Sequence, residues 1–330
     1  MKTELSVRKA VLSLIATLVL LVGAARAQSD FPNRPVNLIM PFPPGGAVDQ
    51  AGRSIAQALS KVWKQSMVVN TRAGAGGGVG MAAAAAAPPD GYNLLATHMA
   101  LLSLPETDLM FGRKSAFDRS SFTPLALLVA DPMVIVVKAD APWKTYQQFV
   151  DDARRHPDTI TYSSSGAYSP AHLPFEMLAL AAGGIKLRHI AYAGGGPALT
   201  AVLGGHVAAT ASVPAVLVPQ IRSGVVRALV ITGAQRHALL PEVPTAIELG
   251  YKDFEFYLWV GLFAPVKTPE GTVQTIRRDI GRAIQDPDFV QNMVKLGTLI
   301  DYRDGAAFVE FLNKDAERIN AAIKRIGKIE

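Results

Sequence analysis

The chain has 330 residues, 49% of them hydrophobic and 18% charged, with a formal net charge of +6 and no cysteine. That length and apolar share exclude wholesale disorder and allow a large core, and about 100–200 residues per domain points to two domains. The missing cysteine excludes disulfides, thiolate metal sites, a cysteine nucleophile and lipid attachment at cysteine, and no block of basic residues offers the stripe that nucleic acid requires.

In chain order, Lys2, Arg8 and Lys9 precede an uncharged apolar run from Ala10 to Ala25 and the small-x-small triplet Ala25-Arg26-Ala27. This order predicts a secretory signal peptide over 1–27, cleaved after Ala27. The run is short for a transmembrane anchor across a ~30 Å hydrocarbon core. Lys2, Arg8, Lys9 and Arg26 against Glu4 make this leader the source of half of the net charge.

From Pro35 onward, strand and helix patterns alternate. Val36–Met40 reads as a buried strand, and Ala51, Ile55, Leu59 and Val62 form the apolar stripe of a helix. Met67–Asn70 is a short strand, followed by a Gly-rich loop and a helix through the alanines 82–87. Pro88-Pro89-Asp90-Gly91 is a stop-and-turn signal before a strand at Tyr92–Thr97. The apolar run near Leu125–Val137 is broken by Asp131 and Pro132, and Met133–Lys138 reads as a strand. Thr145–Arg155 reads as an amphipathic helix. Ile160–Ser163, Pro170–Ala182, Leu187–Ala191, Pro197–Leu203 and Val207–Ser212 continue the alternation, and Val226–Thr232 adds a strand. Val273, Ile276, Ile280 and Ile284 form one helical stripe in the tail; Phe308, Leu312, Ile319, Ile323 and Ile326 form another. The βαβα order predicts an α/β fold with largely parallel sheets.

Three strand-to-helix loops have the composition of an anion site. Pro41-Phe42-Pro43-Pro44-Gly45-Gly46 leads to Asp49, which either caps the helix or accepts from a ligand. Ser163-Ser164-Ser165-Gly166-Ala167-Tyr168-Ser169 offers hydroxyls and a Ser169-Pro170 helix start, although a plain turn has the same composition. Tyr192-Ala193-Gly194-Gly195-Gly196-Pro197 is the third. All lie after a strand, where open α/β sheets bind ligands. The run Gly74–Gly80 lacks the G-x-G-x-x-G spacing and reads as turns and tight packing, and there is no P-loop. No serine sits in a G-x-S-x-G elbow, and the six histidines show no zinc-site spacing. Among them, His172 either lines a cleft or satisfies local backbone groups.

At these loops the sequence resembles the periplasmic solute-binding receptors of tripartite tricarboxylate transporters, the Bug-type receptors. The matching residues begin with Phe31-Pro32-Asn33-Arg34-Pro35, Pro41 to Gly46 with Asp49, Arg72 to Gly77, and Pro89-Asp90-Gly91-Tyr92. They continue with the serine loop to His172-Leu173, His189 to Tyr192, Leu203-Gly204-Gly205, Leu240 to Thr245, and Trp259 to Pro265. Departures from the family pattern are Ala73 where proline is common, Ala193-Gly194 where lysine–glycine is common, and Ala208 and Ser212 where acidic residues are common.

The resemblance implies an α/β, two-lobed periplasmic binding protein fold (type II-like), each lobe a mainly parallel sheet flanked by helices, with the ligand cleft between them. Implied boundaries are 28–130 for the first part of lobe 1, 131–253 for lobe 2, and 254–330 for the return to lobe 1 and the C-terminal helices. The expected ligand-binding residues are Phe42, Pro44, Gly45, Gly46, Asp49, Thr97, Ser163, Ser165, Gly166, Ser169, His172, Tyr192, Gly195 and Ser212. No catalytic residue, metal or cofactor is implied. The expected partners are a small organic acid (di- or tricarboxylate, amino acid or aromatic acid) and integral-membrane permease subunits, with the receptor a periplasmic monomer. The alternatives are an exported hydrolase or isomerase on the same scaffold, or a ligand sensor without transport.

Overall fold

The computed structural model describes residues 31–252 and 254–329, and the signal peptide expected over 1–27 lies outside them. Strands β1 (Val36–Met40), β2 (Met67–Thr71) and β3 (Asn93–Thr97) alternate with helices α1 (Ala47–Trp63), α2 (Gly78–Ala85) and α3 (Ala100–Met110). Next come β4 (Phe122–Pro132), β5 (Val134–Lys138), α4 (Tyr146–Arg155), β6 (Thr161–Ser164), α5 (Leu173–Ala181), β7 (Arg188–Ala191) and α6 (Gly195–Leu203). The chain continues through β8 (Ala209–Ser212), α7 (Pro214–Arg222), β9 (Val226–Ile231) and β10 (Tyr257–Pro265). It ends with α8 (Glu270–Ala283), α9 (Pro287–Leu296), β11 (Ile300–Arg303) and α10 (Gly305–Ile326).

These elements build two sheets, one ordered β11-β4-β10-β3-β1-β2 and the other β7-β6-β8-β5-β9. The apolar strand β1 pairs in parallel with β2 and β3 and is buried at Val36, Leu38, Ile39 and Met40. Helix α1 covers it with Val48, Ala51, Ile55 and Leu59, and burial of each Leu or Ile contributes about 1.5–3 kcal/mol. Two indole N–H groups fasten later helices to the first sheet's layer. Trp63 on α1 donates to Asp279 on α8 at 3.0 Å, and Trp259 on β10 donates to Asp315 on α10 at 2.7 Å. The second sheet has its own core around Val134, Val136, Val202, Leu217 and Ile231.

Both sheets are mixed, not mainly parallel. β10 runs antiparallel to β3 and β4, and β5 runs antiparallel to β8 and β9. The reason is where the chain changes sheet. β4 ends at Pro132 and β5 starts at Val134, so β5 begins at the crossing point, beside the end of β8, with Val134 paired to Ser212. A strand that starts where its neighbours finish must run against them. β10 likewise enters the first sheet from the crossing, with Tyr257 paired to Pro132.

The two crossings are stitched together by one residue. Thr232 accepts from the Met133 N–H through its hydroxyl (2.8 Å) and donates its own N–H to the Met133 carbonyl (2.9 Å). Its hydroxyl also donates to the Phe256 carbonyl, and its carbonyl accepts from the Phe256 N–H at 2.9 Å. The apolar run that Asp131 and Pro132 interrupt thus proves to be two strands in two sheets, with the break at the crossing.

Candidate functional site

The first loop, between β1 and α1, starts the helix at Gly46 without any side-chain cap. Asp49 does not cap it. Its carboxylate accepts from the Gly45 N–H (3.1 Å) and from Arg53 Nε (2.7 Å), which braces the turn. The N–H groups of the helix start therefore keep their preference for an anion.

The second loop, between β6 and α5, is held from behind. The Ser163 hydroxyl donates to the Ala198 carbonyl at 2.8 Å. The Ser164 hydroxyl donates to the Gly166 carbonyl (2.7 Å), accepts the Gly166 N–H (3.1 Å) and meets His189 Nε2 at 2.6 Å. Helix α5 begins only at Leu173, with Pro174 in its first turn, so Ser169 lies in the turn before it and not at its cap. The Ser169 and Leu173 backbones are joined instead, by Leu173 N–H donating to the Ser169 carbonyl at 3.0 Å.

Of the two readings of His172, the structure gives the local one. His172 is fully buried, and its Nδ1 accepts the Tyr168 N–H at 3.0 Å. Burial, and then the neighbouring His189, hold its pKa well below the usual histidine value, so the ring is neutral. The Tyr168 hydroxyl reaches the C-terminal tail, donating to the Gly327 carbonyl (2.8 Å) and accepting the Ile329 N–H (3.1 Å).

The third loop, between β7 and α6, packs directly on the first. Gly194 has φ +139°, and a Cβ there would stand 3.0 Å from Pro43 Cδ. Only glycine allows both the backbone angle and the approach.

The three loops enclose a cavity of about 60 Å³. Phe42, Gly45, Gly46, Ser165, Gly195 and Ser212 line it, as the sequence predicts. The other expected residues stand elsewhere. Pro44 is exposed at the rim, Asp49 braces the first loop, and Thr97 is fully buried with its hydroxyl 3.5 Å from Met81 Sδ. Ser163, Gly166, Ser169 and His172 form the body of the second loop, and Tyr192 packs against the core of the second sheet.

Sequence reasoning did not single out several wall residues: Pro43, Ala47, Val48, His98, Met133, Pro170, Ala171, Ala211, Val216 and Leu258. His98 has a signal that was available, because it directly follows the C-terminal end of β3. Its ring stacks on Phe42 (centroids 4.1 Å apart, 21° between planes), and its Nδ1 accepts the Ala100 N–H at 3.0 Å. Burial lowers its pKa to about 3. The ring is neutral, and with Nδ1 accepting, its proton belongs on Nε2. None of the residues lining the cavity is Asp, Glu, Lys or Arg. Among the described residues no cluster of three His, Cys, Asp or Glu could hold a metal ion, and no helix is long and apolar enough to cross a membrane.

Two sheets joined by paired crossings, with a loop-lined cavity beside the crossings, define a two-lobed solute-binding protein. The chain belongs to the tripartite tricarboxylate transporter family receptors, whose family model matches residues 51–328. It is 36% identical over 294 residues to the UPF0065 protein in the tcbD-tcbE intergenic region of Pseudomonas sp. strain P51, covering 88% of this chain and 86% of that one. Among solved structures it is similar to the periplasmic binding protein BugD, at 30% identity and a TM-score of 0.83, covering 90% of this chain and 99% of the other. It is also similar to MatC from Rhodopseudomonas palustris with bound malate, at 29% identity and a TM-score of 0.81, covering 88% and 99%. The protein is thus a solute-binding receptor and not an enzyme, from a family of periplasmic transport receptors.

Proposed function

We propose that the receptor captures a small organic acid in the cavity between its lobes and presents it to integral-membrane permease subunits. The observation that carries this reading is the uncapped start of α1 facing the Ser165 and Gly195 loops across one uncharged cavity. Gly46, Ala47 and Val48 supply N–H donors to the carboxylate, Ser165 adds a hydroxyl, and the Nε2–H of His98 is a further neutral donor. Asp49, Ser163, Gly166, Ser169 and His172 hold the loops in shape, and Thr97 and Tyr192 support them from the sheets. The malate bound by MatC favours a carboxylate ligand. In this reading residues 28–130 and 254–330 form one lobe and 131–253 the other, and the mature protein is a periplasmic monomer released by cleavage after Ala27.

Titration calorimetry with a panel of carboxylic acids tests the proposal. Gly46→Val puts a branched side chain where a Cβ meets nothing within 4 Å, so the helix start is blocked without a clash. Asp49→Ala removes the acceptor for the Gly45 N–H. Each variant should stay folded and bind about tenfold more weakly or worse, as expected from losing one charge-assisted hydrogen bond or its positioning. Unchanged affinity in both would sink the assignment.

A further inference from the structure

The cavity's wall divides into two chemically different parts. One is the loop side, where Gly45, Gly46, Ala47 and Ser165 bring backbone donors and a hydroxyl. The other is the floor beside the sheet crossings. There Met133 lies in the first crossing, Leu258 is the second residue of the strand that returns from the other, and Ala211, Ser212 and Val216 come from β8 and α7. Val134 pairs with Ser212 and Leu258 with Asp131, so these residues meet around the stitched hinge and away from the loop tips.

We infer that the ligand is a monocarboxylate with a compact apolar tail, its carboxylate on the loop side and its tail on the floor made by Met133, Ala211, Val216 and Leu258. This rests on the carboxylate reading above and narrows it. A second carboxylate pushed against that floor would need a Lys or Arg, and none lines the cavity. An amino acid's ammonium would need a carboxylate, and none lines the cavity either. The carboxylate of the first loop, Asp49, already serves the Gly45 N–H and Arg53. His98 cannot supply the missing charge, because it is buried and neutral. Ser212 is the one hydroxyl on the floor side, enough for a hydroxyl partner and too little for an ion. A charge buried there without a partner would be strongly disfavoured, while an isopropyl or similar group gains by leaving water. The volume of about 60 Å³ is well below the ~150 Å³ of a cavity that takes benzene, which limits the tail to roughly three to five carbons.

The test uses matched acids in which a terminal carboxylate is replaced by an isopropyl group of similar shape. These are 3-methylbutanoate against propanedioate, and 4-methylpentanoate against butanedioate, with 3-aminopropanoate for the ammonium and 3-methylbutanamide as the uncharged control. Calorimetry on the protein purified after export, freed of carried-over acid, should give Kd values on the order of a hundredfold lower for the monocarboxylates than for their partners. Dicarboxylates or 3-aminopropanoate binding as tightly as the monocarboxylates would overturn this inference and leave the carboxylate reading standing. The amide binding as tightly as the acid would overturn that reading, and the inference with it, as would the absence of binding by every acid. A second arm is Ser212→Lys, which places an ammonium at the floor and should shift preference toward propanedioate by at least about tenfold. A folded Ser212→Lys protein with an unchanged ratio would overturn the placement of the ligand's far end.

Discussion

Asp131 and His98 illustrate what burial does to single ionisable groups in this protein. Asp131, 1% exposed beside the sheet crossing, accepts the Leu299 N–H at 2.7 Å, yet burial still lifts its pKa to about 7. His98 falls to about 3 and His189 to about 4, both through burial. Their effects on stability have opposite signs. Between pH 6.5 and 4 the unfolded chain binds protons that the folded histidines refuse, so their contribution is lost as pH falls. Over pH 7 to 4 the folded Asp131 holds a proton that the unfolded chain releases, so its contribution grows as pH falls. Asp131→Asn keeps an acceptor for Leu299 and removes that opposing effect. Its unfolding free energy relative to the natural protein should be higher at pH 8 and fall on the order of a few kcal/mol by pH 4.5. Urea unfolding at a series of pH values measures this, and parallel pH profiles would contradict it.

The elements show why the Gly74–Gly80 run is where it is. It forms a short helical turn, Ala75–Gly77, that leads into α2. At Gly77 (φ +103°) an added Cβ would lie 2.7 Å from the Phe42 ring. That ring in turn stacks on His98 and lines the cavity. The run therefore shapes the site through packing, with no phosphate-loop role, in keeping with its spacing. Gly77→Ala should displace Phe42 and strain the backbone, costing about 1–3 kcal/mol of stability. It should also weaken ligand binding about tenfold, because the displaced ring enters the ligand's space. Thermal unfolding and calorimetry together check both, and a loss of stability with unchanged affinity would separate the ring from the site.

At the scale of the whole molecule, the lobes touch at two kinds of contact. Permanent ones stitch the crossings through Met133, Thr232 and Phe256. Others join loop tips: Gly194 against Pro43, and Tyr168 against the tail at Gly327 and Ile329. The loop-tip contacts can open while the stitched hinge stays intact, which is the requirement for closure around a ligand. Small-angle scattering should report compaction on adding a bound acid, about 1 Å in a radius of gyration of about 19 Å for a chain of this size. An unchanged radius at saturation would count against a closing cleft.

The sequence by itself determined the elements whose causes are local. β1 is an apolar run, α1 carries a 3.6-residue stripe, and glycine, proline and serine mark the three loops after strands, so all were legible from residue order. The family was legible for the same reason, since its motifs are those loops. What only the tertiary structure decided depends on partners distant in sequence. β4 and β10 were not separable as strands, because their partners lie more than a hundred residues away and Pro132 looks like a break until the second sheet is in place. Asp49, Ser163 and His172 have the chemistry of ligand groups, but their donors and acceptors are already used within and behind the loops. The apolar floor drew no notice at all. Met133, Val216 and Leu258 are ordinary core residues by sequence, and they become the wall of a site only where two chain crossings leave a small space between two sheets.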